Sequence, residues 1–175
     1  MAETFYQQTG SKQEQYQSLL PQIQALISDE RDFVANMANV CAVLKQQFDW
    51  LWIGFYVVKG EELVLAPFQG PIACTRIGKG RGVCGSAWSQ QQTIIVPDVN
   101  QFAGHIACSS LSQSEIVVPL LWQERCLGVL DIDSAELATF DDTDAEFLQQ
   151  VVAVLSASST HLTLPTICGL WVAVV

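Results

Sequence analysis

Apolar positions near the start of the chain recur at helical spacing. From Ser11 to Ser28, residues Tyr16, Leu19, Leu20, Ile23, Leu26 and Ile27 share one side, which predicts an amphipathic helix kinked or broken at Pro21. A second helix is predicted from Glu30 to Phe48, with Asp29 as its N-cap and Phe33, Met37, Val40, Cys41 and Leu44 as its apolar stripe. The period then changes to two. Trp50 to Val58 (WLWIGFYVV) predicts a long strand, Lys59-Gly60-Glu61-Glu62 a turn, and Leu63 to Pro67 the returning strand. Gly70 to Gly85 is Gly-rich and reads as irregular. A short helix near Ser86 to Gln91, a strand at Thr93 to Val96 and a long loop from Asp98 to Gln113 follow. Strands at Glu115 to Leu121 and Cys126 to Asp133 and a helix from Asp141 to Ala157 complete the order. Hairpin-like neighbours dominate. The expected fold class is α+β, a largely antiparallel central sheet with helices packed on it.

Strand parity gathers chemistry on one sheet face. In Val129-Leu130-Asp131-Ile132-Asp133 both aspartates point one way and Leu130 and Ile132 the other. If the connection folds about Glu124, Glu115 faces Asp133 and Val117 faces Asp131. Three carboxylates then meet at one end of one face, an arrangement that destabilises a sheet unless something compensates. A cation does so, and an ammonium group would donate hydrogen bonds to several such oxygens. A solvated strand end and a calcium or magnesium site are the competing readings, although the twelve-residue calcium-loop pattern is absent. On the first strand, Trp52, Gly54 and Tyr56 share a face, which reads as a pocket wall with room at Gly54 for something to approach, or as aromatic packing against a helix.

Composition narrows the partners. The chain has 175 residues, half of them hydrophobic and 15% charged, which suits one domain with a proper core and excludes wholesale disorder. A loosely held N-terminus (1–10), a domain over 11–159 and an apolar C-terminal tail (160–175) are expected; the tail is too short to span a bilayer and is assigned no chemistry. The net charge of −10 disfavours nucleic acid and anionic membrane and suits a cationic or zwitterionic ligand. No secretory signal is read in the polar first ten residues, so the six cysteines are expected in a reducing cytoplasm. No C-x-x-C pair and only two histidines occur, so no metal-ligand set is assigned.

Gly80-Arg81-Gly82-Val83-Cys84-Gly85 matches G-x-G-x-x-G but lacks the βαβ context of a dinucleotide site. It reads as a loop opening a short helix, whose N-terminus would stabilise a Cys84 thiolate. Cys74 and Cys108 also fall in loops, with Arg76 and His105 as nearby sources of positive charge.

Six segments together resemble one family, the free methionine-(R)-sulfoxide reductases, which are small stand-alone GAF domains. They are WIGFY (52–56), LVLAPFQGPIACTRI (63–77), GKGRGVCG (78–85), VPDVNQFAGHIAC (96–108), SEIVVPL (114–120) and LGVLDIDS (127–134). The resemblance implies a GAF-like fold and reduction of free L-methionine-(R)-S-oxide to L-methionine. It implies that Cys108 attacks the sulfoxide and is left as a sulfenic acid, that Cys74 resolves it as a disulfide, and that Cys84 is an alternate partner. Glu115, Asp131 and Asp133 match the acidic substrate pocket, and Trp52 and Tyr56 its aromatic wall. No bound cofactor is implied; thioredoxin would restore the thiols, drawing indirectly on NADPH. Ser109 stands where many relatives carry aspartate. A homodimer is left open. The alternative is a non-catalytic GAF-type small-molecule sensor, for which Cys108 would be dispensable.

Overall fold

The structure is a computed structural model and describes residues 5–106 and 108–158. The tail at 160–175 and the first four residues lie outside the described residues. Helix α1 (Lys12–Ser28) starts at a capping box: the Ser11 side chain accepts from the Glu14 amide, and the Glu14 side chain accepts from the Ser11 amide. Pro21 does not break it. Pro21 and Gln17, whose carbonyl loses its helical partner, are both exposed, so water can replace the missing bond. Helix α2 (Phe33–Phe48) is capped by Asp32 rather than Asp29, with the Ala35 amide donating to Asp32 at 2.9 Å. The reason is local. Glu30 takes the amides of Arg31 and Asp32, each at 2.7 Å, and holds the intervening residues outside the helix. Gln8 is tied to Gln47 of α2 through two hydrogen bonds of 2.8 and 2.9 Å.

Six strands follow: β1 (Trp52–Lys59), β2 (Glu62–Gln69), β3 (Arg76–Gly78), β4 (Ile94–Val96), β5 (Ser114–Trp122) and β6 (Arg125–Ser134). They form one sheet of order β3-β2-β1-β6-β5-β4, every neighbour antiparallel. Helix α3 (Gly82–Gln90) lies between β3 and β4, and α4 (Asp142–Ser158) follows β6. Strand β3 is the element that the Gly-rich reading missed; three residues are too few to show a period.

The pleat sends alternate residues into two cores. Ile53, Phe55, Ile116, Val118, Leu130 and Ile132 pack with α1, α2 and α4 on one face. Trp52, Tyr56, Val117 and Val129 pack on the other with α3 residues Val83, Cys84, Ala87 and Trp88. The helical face is locked by a polar contact. Tyr16 donates its hydroxyl to Asp144 at 2.8 Å, and Lys12 Nζ reaches the other oxygen at 2.6 Å. Asp144 itself is fully buried. Asp144→Ala strands the buried Tyr16 hydroxyl and leaves Lys12 with Asp141 and the Thr139 carbonyl alone, and a loss of about 3 kcal/mol is expected. Calorimetry should read that as a drop in Tm on the order of 6–12 °C.

Candidate active site

The three carboxylates meet through strand register. Glu115 pairs with Asp133 and Val117 with Asp131 across β5 and β6. Strand β1 flanks the other side, with Trp52 opposite Asp133 and Gly54 opposite Asp131. Trp52, Asp133 and Glu115 therefore form one row across the sheet, and the next row carries Asp131.

The face is roofed by the chain around Cys74, the start of α3 and the loop before β5. Between roof and sheet lies a cavity of about 40 Å³, several times what one ordered water needs. Seven of the eight expected site residues line it: Trp52, Tyr56, Cys84, Cys108, Glu115, Asp131 and Asp133. The eighth, Cys74, is joined to Cys108 by a disulfide with a Cα–Cα distance of 5.6 Å. Among the described residues, Cys41, Cys84 and Cys126 are free thiols.

The aromatic wall also holds the cysteine loop. Trp52 Nε1 donates to the Pro71 carbonyl and Tyr56 Oη to the Cys74 carbonyl, both at 3.0 Å. A backbone segment is thus pinned over the sheet by the two side chains beneath it. The gap at Gly54 is filled from inside: a Cβ there would overlap the Trp52 ring and Phe68. What approaches the glycine is the indole, not an external group. Gly54→Ala is expected to displace Trp52 and destabilise the fold by about 1–3 kcal/mol, measured by urea titration.

Electrostatics in the cavity are dominated by burial and like charge. Burial, then repulsion from Asp131 and Asp133, raises the Glu115 carboxyl well above its ordinary range. Burial, then Asp133, does the same to Asp131. Burial raises Asp133 to about 6 even though Ser112 Oγ donates to it. A carboxyl raised on folding stabilises the fold below its unfolded pKa, near 4, and that stability is lost as pH rises through the folded value. For Asp133 the window is about 4 to 6. Ionising the three carboxyls therefore opposes folding as pH rises toward neutral, and a cation among them would offset that repulsion. Asp131 Oδ1 is buried and accepts no hydrogen bond.

Two charge readings change. Cys84 sits in the first turn of α3, yet burial and the nearby carboxylates push its thiol well above the ordinary value, so the helix start does not activate it. Arg76 turns away to Glu62, at 2.8 Å on the exposed edge, and supplies no charge to the thiols. His105 Nε2 instead lies 3.7 Å from Glu115, and burial lowers its pKa toward the neutral form. Ser112 escaped the sequence reading because an isolated loop serine carries no pattern; its register just ahead of β5 was the only signal available.

A family model described as the GAF domain matches residues 24–158. Free methionine-R-sulfoxide reductase of Escherichia coli is 47% identical over 146 residues, covering 83% of this chain and 88% of the relative. The chain belongs to the free methionine-R-sulfoxide reductase family of GAF domains. The solved structure of such a reductase from Neisseria meningitidis, in complex with its substrate, superposes with a TM-score of 0.88 at 53% identity. That match covers 89% of this chain and 95% of the other. GAF domain-containing protein A of Dictyostelium discoideum is 60% identical over 156 residues, covering 89% of this chain and 99% of the relative. A fold of six antiparallel strands with helices on both faces is the reductase scaffold in this chain.

Proposed function

We propose that this protein reduces free L-methionine-(R)-S-oxide to L-methionine, with Cys108 as nucleophile, Cys74 as resolving thiol and Glu115, Asp131 and Asp133 as the ammonium cage. The observation that carries the proposal is the placement of Cys108 in the same cavity as the three carboxylates. Family membership and the Cys74–Cys108 bond support it. No bound cofactor is needed, because sulfur supplies the electrons.

The chemistry runs in three steps. The Cys108 sulfur attacks the sulfoxide sulfur while a protonated carboxyl of the nest gives its proton to the sulfoxide oxygen. Methionine leaves reduced by two electrons, and Cys108 keeps the oxygen as a sulfenic acid. The Cys74 sulfur then attacks Cys108, the S–O bond breaks, water departs and the disulfide forms. A dithiol donor reopens it by exchange, and thioredoxin is the donor proposed. Cys108 is exposed, which gives a protein dithiol access to the bond. Cys84 stays available as an alternate partner.

The cage explains selectivity. An α-ammonium supplies three donors and one positive charge to oxygens that otherwise repel one another. A methionine sulfoxide inside a protein has no such group. The wall of Trp52 and Tyr56 suits the S-methyl end. No helix among the described residues is long and apolar enough to cross a membrane. A reducing cytoplasm is the proposed setting, since it keeps the thiols ready.

Thioredoxin, its reductase and NADPH provide the test. Steady NADPH consumption is expected with the free R epimer and little with the S epimer. Absence of turnover with the R epimer, beside a working control reductase, would favour the sensor reading.

A further inference from the structure

Cys84 is a buried thiol that turnover on Cys108 and Cys74 leaves unused. Its sulfur, one oxygen of Glu115 and one of Asp131 all lie within 4.8 Å of one another. The three residues are 4, 6 and 7% exposed. Asp131 lines the cavity, and its buried Oδ1 has no hydrogen-bond donor, an acceptor that a ligand at this cluster would satisfy. An ammonium satisfies the oxygens but gains little from the sulfur. A borderline metal ion uses both. Zinc binds thiolate at about 2.3 Å and carboxylate at about 2.0–2.2 Å, which sets tetrahedral donors about 3.5 Å apart. Side-chain shifts of about an ångström close the cluster to that spacing. Calcium and magnesium prefer oxygen alone and do not account for the thiol.

We infer that Cys84, Glu115 and Asp131 form a zinc-binding site that overlaps the ammonium position, so that zinc inhibits the enzyme. No redox step is involved. The ion displaces the Cys84 thiol proton and the protons held by the Glu115 and Asp131 carboxyls, all released to solvent, forms one Zn–S and two Zn–O bonds, and keeps a water as fourth ligand. Cys84 is outside the Cys74–Cys108 bond, so the site persists in the disulfide form. Competition with substrate rests on the function proposed above; metal binding does not.

The test separates the two. The disulfide form is titrated with Co²⁺, which reports thiolate ligation by a near-ultraviolet charge-transfer band. One equivalent should produce the band, and one equivalent of Zn²⁺ should bleach it. Cys126→Ser should keep the band and Cys84→Ser should lose it. Asp131→Asn should weaken cobalt binding at least about tenfold. No band, or a band that survives Cys84→Ser, overturns the site. In the Cys74→Ser/Cys108→Ser protein, which cannot turn over, free methionine-(R)-sulfoxide should displace cobalt and bleach the band. A band indifferent to saturating sulfoxide overturns the shared position.

Discussion

Cys108→Ser is expected to lower kcat/KM for free methionine-(R)-sulfoxide by at least about 10⁴-fold, because a serine hydroxyl can neither attack the sulfoxide sulfur nor hold its oxygen. Substrate affinity should survive, since the cage and the aromatic wall are untouched. A sensor would show the opposite independence: its ligand binding, which is all it does, would be unaffected and no turnover would exist to lose. Cys74→Ser divides the cycle at a different point. It should release about one methionine per chain in a burst and then stall, with a sulfenic acid on Cys108 that a dimedone probe traps. The existing bond between Cys74 and Cys108 is the reason to expect the stall there. Full turnover of Cys74→Ser with thioredoxin would transfer the resolving role to Cys84, which lines the same cavity. Full turnover of Cys108→Ser would remove the nucleophile from the scheme.

Asp131→Asn is expected to move stability and activity in opposite directions. Asp131 is buried and accepts nothing at Oδ1, while burial and Asp133 raise its carboxyl well above the ordinary range. Its ionised form therefore opposes folding, and that opposition grows as pH rises. The neutral amide removes it. At pH 7.5 the variant should gain on the order of 1–2 kcal/mol, a rise of several degrees in Tm, and at pH 4 the two proteins should converge. Loss of one charge-assisted contact to the ammonium should lower kcat/KM by about 10–100-fold. A purely structural aspartate would lose both together. A variant with unchanged kinetics would remove Asp131 from the cage.

Much of this site was legible because a strand repeats every two residues. A turn centred on Glu124 puts Glu115 opposite Asp133 and both aspartates on one face; that pairing holds at the site, although the turn itself is Gln123-Glu124 between paired Trp122 and Arg125, and an irregularity between Leu120 and Leu121 shifts the register by one. The wall of Trp52 and Tyr56 followed from the same rule on β1. Less legible were contacts made by backbone and loops. Parity says nothing about the indole lying across Gly54, nor about the carbonyls of Pro71 and Cys74 that the two aromatics hold. Cys84 shows how a local rule can mislead. Its place at a helix start argues for a thiolate, but burial, and after it the charge of the neighbouring carboxylates, pushes the thiol the other way. The Cys74–Cys108 pairing came from family resemblance, since loop cysteines 34 positions apart carry no periodic signal.

The cage for an α-ammonium beside Cys108 is the central claim, and blocking that ammonium tests it most directly. Methionine release is measured from the reduced protein given either free methionine-(R)-sulfoxide or its N-acetyl derivative. The free amino acid should be reduced, and acetylation should lower kcat/KM by at least about 10³-fold, because a neutral amide leaves the three carboxylates without their counter-charge. Equal reduction of the two compounds would contradict the account.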